Sequence, residues 1–252
     1  MEMPPLFIGT AGWSVPTVHA DRFPDTGSHL ERYGRRLNAV EINSSFYRPH
    51  RRATYERWAR SVPADFRFAV KVPKAITHER RLKDCDDLLD RFADETAGLG
   101  AKLGVLLVQL PPSLAFDKTV TARFFDALRR RSAAVLACEP RHASWFTPEG
   151  AALLARLRVA RVAADPAPAP GAGHPGGWGG LVYYRLHGSP DMYYSSYDSD
   201  ALAALIQTLA AHRAGGATAW CIFDNTARYA ATENALILAN LERGLRAGRT
   251  AS

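Results

Sequence analysis

Residues 181–188, Leu-Val-Tyr-Tyr-Arg-Leu-His-Gly, form an apolar and aromatic run that ends in Arg185 and His187. Alternate residues of a strand face opposite sides. Tyr183, Arg185 and His187 therefore share one face, and Val182, Tyr184 and Leu186 share the other. If the second set packs on helices, the first must point into a closed interior. Seven similar runs occupy 6–10, 38–43, 66–72, 103–109, 134–139, 159–164 and 218–224. Most of them end in residues capable of chemistry: Gly12-Trp13, Glu41-Ile42-Asn43, Lys71, Gln109, Glu139-Pro140-Arg141, Asp165 and Asp224-Asn225.

Helical stretches fill most gaps, at 28–37, 53–61, 84–99, 117–131, 147–157, 199–213 and 230–246. Asp84, Asp117 and Thr147-Pro148 supply starting signals, and Gly98, Gly100 and Gly215-Gly216 mark ends. Strict strand–helix alternation predicts parallel strands with right-handed crossovers. The reading is a (β/α)8 TIM barrel formed by one domain over residues 1–252, with its polar pocket at the strand C-terminal ends. One crossover breaks the rule. Residues 166–180, PAPAPGAGHPGGWGG, hold too much Pro and Gly for a helix and predict an irregular connection between strands six and seven.

A chain of 252 residues with 47% hydrophobic and 23% charged residues has the composition of a soluble globular protein. MEMPPLFIGT lacks the basic and apolar regions of a signal peptide, and no run of about 18 apolar residues suggests a membrane span. Cys85, Cys138 and Cys221 have no metal-binding or redox spacing, so a reduced, cytoplasmic setting is expected. A net charge of +7 raises nucleic acid as a partner. The arginine clusters (35–36, 51–52, 80–81, 129–131) lie far apart, however, as solvated outer helices and loops would have them. Walker A, GxSxG and HExxH motifs are missing, which removes the P-loop, serine-hydrolase and zincin readings.

Strand parity places Glu41 with Asn43, and groups Lys71 with Ala69, Gln109 with Leu107, Glu139 with Ala137, Asp165 with Ala163 and Asp224 with Ile222. Each of strands two to eight then aims a polar group at the top of the barrel. Unpaired buried charge is costly, so Glu41 and Glu139 should pair with Lys71 and Arg185. Such pairing should raise the pKa of Lys71 and favour an electrostatic role over a Schiff base. Glu41, Glu139, His187 and Asp224 could together hold a divalent metal, but Lys71 and Arg185 in one cavity would oppose a cation, so no metal is assigned and the cofactor is left open.

Several strings, taken together, resemble one family. They are IGTAGWS (8–14), VEINSSFYR (40–48), FAVKVPKAITHERRL (68–82), EPRHASW (139–145), YYRLHG (183–188) and FDNTARYAATENALIL (223–238). In this order they are similar to the DUF72, or YecE-like, proteins. The resemblance spans nearly the whole chain and implies a TIM barrel without implying an activity. Motif positions carried over include Trp13, Glu41, Asn43, Tyr47, Lys71, Thr77, His78, Glu139, Arg141, His142, Trp145, Arg185, His187, Gly188 and Asn225. One position departs: the family's last strand more often ends Asn-Asn, and here Asp224 precedes Asn225.

The first reading is an enzyme acting on a small polar or anionic molecule, such as a phosphorylated sugar, by acid/base chemistry. Glu41, Glu139 and His187 would exchange protons, while Lys71, Arg141 and Arg185 would hold the anion. Trp13, Asn43, Tyr47, His142, Trp145, Asp224 and Asn225 complete the expected binding set, with Trp145 and Tyr47 as a stacking wall. Thr77-His78 and Tyr193-Tyr194 fall in loops able to cover the pocket. A nucleic-acid-binding or nuclease-like barrel is the second reading, and a structural ion network without catalysis the third.

Overall fold

The computed structural model describes residues 3–250. One sheet contains β1 (Leu6–Ala11), β2 (Ala39–Ile42), β3 (Arg67–Lys71), β4 (Leu103–Gln109) and β5 (Val135–Glu139), followed by β6 (Val159–Arg161), β7 (Ala163–Asp165), β8 (Gly176–Gly177), β9 (Leu181–Leu186) and β10 (Thr218–Phe223). Neighbours are parallel except for the short β8, which runs antiparallel to β6. β10 pairs with β1, β6 with β5, and β7 with β9. Since β6 and β7 are halves of one strand split at Val162, eight parallel positions form a nearly closed TIM barrel. The Val162 N–H bridges the split by donating to Cys138 O at 2.9 Å.

Around it lie α1 (His29–Gly34), α2 (Ser44–Tyr47), α3 (Arg52–Arg60), α4 (Asp86–Ala97), α5 (Lys118–Arg131), α6 (Pro148–Arg156), α7 (Ser199–Ala214) and α8 (Ala230–Thr250). Asp117 and Thr147 accept the Val120 and Gly150 N–H groups as expected of helix N-caps. Asp84 does not cap α4: its φ is 45°, and Cys85 flanks the helix instead. Residues 166–180 carry β8 but no helix. Gly171, Gly173 and Gly176 there match GxGxxG spacing, yet no helix follows, so the dinucleotide context is missing.

Two apolar clusters confirm the alternation. Val182, Tyr184 and Leu186 pack outside against the helices, whereas Tyr183, Trp220, Ile222, Val105 and Leu107 fill the barrel. Tyr183 and Trp220 stack at 5.7 Å, making a floor beneath the polar mouth. Asp165 is a correction. Its partner in parity, Ala163, belongs to the outer cluster, and its Oδ2 accepts from Tyr197 Oη at 2.6 Å. The alternation runs unbroken through Val162, with Ala160 and Val162 inward, so Ala163 and Asp165 face outward and Asp165 lies outside the mouth. All three cysteines are buried and free. Among the described residues no helix is long and apolar enough to cross a membrane.

Candidate functional site at the barrel mouth

Arg185, at the end of β9, is fully buried at the centre of the mouth. Its Nε and Nη2 donate to the two oxygens of Glu41 at 3.0 and 2.7 Å. Nη1 donates to Glu139 Oε2 at 2.6 Å, and Nη2 to Asp224 Oδ2 at 2.8 Å. Nη1 also faces His187 Nε2 at 3.3 Å. A guanidinium has five N–H donors, and here four go to carboxylates while the fifth faces His187. Tyr183 Oη donates to Glu41 Oε2 at 2.8 Å, and Gln109 Nε2 to Glu139 Oε1 at 3.0 Å.

This geometry corrects the expected roles. Arg185 does not serve an external anion, because it is fully buried and four of its five donors go to carboxylates while the fifth faces His187. Burial would raise the Glu139 and Asp224 carboxyls, but Arg185 beside them outweighs it and holds both below their ordinary values. Glu41 is fully buried and spans the guanidinium with both oxygens. Glu139 is therefore held as an anion rather than poised to exchange a proton, and both Glu41 oxygens are occupied by Arg185. His187 is buried as well, with Nδ1 lying 3.1 Å from Asp224 Oδ2 at an angle short of a good hydrogen bond. Burial pushes its pKa down, but Asp224 and Glu139 push it up further, leaving it raised. Both ring nitrogens face the network. Asp224 acts here as a charge, which an Asn at that position would not supply.

Lys71 is the second correction. Arg185 has taken the carboxylates, and among the described residues none lies at ion-pairing distance from Lys71 Nζ. The ammonium sits over the Phe46 ring, 4.2 Å from its centroid. Burial, then the positive Arg185, lowers its pKa to about 8, despite the opposing pull of Glu41, Glu139 and Asp224. The expected rise does not occur, since long-range attraction does not offset desolvation.

A π-helical turn, Ala75–Glu79, brings His78 back over the same ring: His78 and Phe46 meet edge to face at 5.0 Å. Single π turns recur at functional sites. Thr77 Oγ1 lies 2.8 Å from His78 Nδ1, and no described group bonds Nε2. Burial, then Lys71 and Arg141, lowers the His78 pKa, so the ring is neutral at pH 7. Arg141 is half-buried and reaches Glu139 Oε1 through Nε and Nη2 at 3.3 and 3.2 Å, leaving Nη1 without a partner among the described residues. Lys71, His78 and Arg141 thus form the open part of the mouth. His78 and Gln109 were outside the expected site set. The signal for His78 was its place seven residues beyond Lys71, but a loop residue's direction is not set by parity.

The remaining expected binding residues disperse. Trp145 is buried, packs on Phe116 at 5.2 Å and donates its indole N–H to Leu114 O at 2.9 Å. Tyr47 is exposed and stands edge to face with Phe46 at 5.0 Å. They form no common stacking wall. Trp13 packs on Trp58, and His142 turns to Ser144. Asn225 donates to Ser195 O and Asn234 Oδ1, both at 2.9 Å, and so anchors the loop after β9. Asn43 Oδ1 and Asn225 Oδ1 are buried without a partner among the described residues.

The chain matches the family described as "Protein of unknown function DUF72" over residues 7–249. It belongs to this family. The YecE protein (UPF0759) of Escherichia coli K12 is 34% identical over 107 residues, which are 42% of this chain and 38% of YecE. The match thus spans well under half the length of that relative. A DUF72 family crystal structure from Enterococcus faecalis V583 superposes with a TM-score of 0.78 at 22% identity, covering 94% of this chain and 95% of the other. A sugar phosphate isomerase/epimerase from Parabacteroides distasonis superposes with a TM-score of 0.52 at 11% identity, covering 92% of each chain. At such identity these structures establish the family's barrel fold and nothing about chemistry.

Proposed function

We propose that this protein is an enzyme that performs acid/base chemistry on a small anionic molecule at the C-terminal face of its barrel. The observation that carries the reading is Lys71, a buried cation left without a carboxylate while Arg185 uses all of them. Lys71 and Arg141 would receive the anion and stabilise charge developing on a substrate oxygen. Neutral His78 would accept a proton through Nε2, and Lys71, with a pKa of about 8, would return one. Phosphorylated sugars and sugar acids suit this pairing of cations with a neutral base. The lowered Lys71 pKa also favours a second reading, in which the amine attacks a substrate carbonyl. The dispersal of the arginine clusters over the turn after α1, the start of α3, the loop after β3 and α5 supports a small ligand over nucleic acid.

Calorimetry against phosphate, sugar phosphates and sugar acids tests this. Wild type should bind at least one of them, and Arg141→Ala should weaken it about tenfold or more. Once a reacting compound is found, His78→Gln should keep affinity within about tenfold but lose turnover by roughly 10²-fold. Activity should rise as pH passes through the lowered His78 value, below 6.5, and fall near 8 as Lys71 loses its proton. Borohydride trapping of a substrate on Lys71 would select the covalent reading. Absence of binding to every anion, or equal affinity in Arg141→Ala, would sink the proposal.

A further inference from the structure

The exposed large apolar side chains among the described residues are Val18, Tyr47, Met192, Tyr193, Tyr194 and Tyr229. All six lie in segments that follow β1, β2, β9 or β10, four strands adjacent in the sheet. Met192, Tyr193, Tyr194 and Tyr229 share the arc of the mouth after β9 and β10, whereas Tyr47, at the end of α2, stands beside Phe46 and the 73–79 turn. Single exposed apolar residues are ordinary on a protein surface, but four of the six on two adjoining loops are not. The facing arc, after β3 and β5, carries Lys71, His78 and Arg141. In an eight-stranded barrel the seventh position, β9, is diametrically opposite the third, β3. The mouth is thus aromatic on one side and cationic on the other.

Tyr193 connects the aromatic arc to the buried network. Its ring meets that of His187 edge to face at 5.8 Å, while 39% of the residue remains exposed. Its backbone is left-handed, with φ 71°, which is rare for a bulky residue and recurs at ligand sites. Two bonds hold it there: Tyr193 N–H donates to His187 O at 2.5 Å, and Ala227 N–H donates to Tyr193 O at 3.1 Å. Gly188, with φ 93°, makes the turn possible, since a Cβ would lie 2.8 Å from Ser195 O. The second bond stitches the loop after β9 to the loop after β10. Tyr229 in that loop is also left-handed, with φ 63°, and Arg228 lies over the Tyr194 ring at 5.4 Å. The tyrosines are therefore a fixed shelf rather than a loose flap.

From this we infer that the substrate is an anion joined to a ring, its phosphate or carboxylate on Lys71 and Arg141 and its ring against Tyr193 above His187. Tyrosine presents a large, rigid face at low entropic cost and stacks on any ring with an apolar face. A linear anion would leave this shelf unused. The inference rests on the anion-binding reading proposed above and adds the ring.

Matched probes separate the two. Phenyl phosphate and methyl phosphate carry the same anion, and only the first has a ring. Calorimetry on wild type should give phenyl phosphate at least about tenfold tighter binding, the scale of one stacked ring. Tyr193→Ala should abolish that preference while methyl phosphate affinity stays within about twofold, and Tyr193→Phe should retain it. Circular dichroism of both variants would confirm an intact fold. Equal affinity for the two probes in wild type, or an undiminished preference in Tyr193→Ala, overturns the ring inference and leaves anion binding standing. If neither probe binds, the ring inference is overturned, and the anion-binding reading falls with it when the sugar phosphates and sugar acids also fail to bind.

Discussion

Lys71 is buried and charged, and the carboxylates that might neutralise it already belong to Arg185. Such a group opposes folding. Its folded pKa of about 8 lies below the ordinary 10.5, so the unfolded chain holds the proton more tightly. At pH 7 both states are protonated and the full penalty is felt; it is relieved as pH rises through 8 toward 10.5. Lys71→Met keeps the volume and removes the charge. Its melting temperature at pH 7 should exceed that of wild type by a few degrees, about 2–4 °C per kcal/mol at this chain length, and the gap should narrow above pH 8. A lower melting temperature throughout would identify Lys71 as a structural cation. Stabilisation with loss of function is the behaviour of a strained active site. Arg185 is the opposite case, a cation whose partners would be left as buried, unpaired anions without it.

Among the elements, the split sixth strand decides how the loop after β9 is held. With Asp165 turned outward, Tyr197 Oη donates to its Oδ2 at 2.6 Å and accepts the Gly188 N–H at 3.0 Å. Asn225 and Asn234 secure the same loop through Ser195 O and Tyr197 O, both at 2.9 Å. Tyr197→Phe removes the hydroxyl and leaves Asp165 and the Gly188 N–H short of a partner. Unfolding by urea should show a loss of about 1–3 kcal/mol. Amide exchange should accelerate in 188–197 and remain unchanged in the π-helical turn Ala75–Glu79, on the opposite arc. Equal acceleration in both would mean that the arcs open together.

Across the whole molecule, the network ties β2, β5, β9 and β10 through one guanidinium, so barrel stability should follow its protonation. Glu139 and Asp224 have folded pKa values below the ordinary 4.5 and 3.8. Their contribution is complete above those ordinary values and is lost as pH falls from them through the lowered folded ones. Asp224→Asn removes one such carboxylate. Its stability should decline less steeply below pH 3.8 than that of wild type, by up to about 1.4 kcal/mol per pH unit. Parallel declines in urea unfolding across that range would show that Asp224 does not couple to folding. The His187 contribution has the other sign: with a raised pKa it is complete below 6.5 and lost as pH climbs through the folded value.

Strand periodicity and helix caps were sufficient to place the barrel, because alternation along β9 leaves Tyr183, Arg185 and His187 only one interior to face. The same parity put Glu41, Lys71, Glu139 and Asp224 at the mouth. Partner choice was not in the sequence. Whether Lys71 or Arg185 receives the carboxylates depends on which cation lies at the centre, and the guanidinium fork meets three carboxylates at once where an ammonium would not. Asp165 was misplaced because Ala160 and Val162, not Ala163 and Asp165, take the inner face, and a run apolar on both faces carries no local signal of which parity points inward. His78 and Tyr193 lie past their strand ends, where a π turn and a left-handed backbone aim them. Direction within loops comes from long-range bonds such as Ala227 N–H to Tyr193 O, and only the tertiary structure forms those.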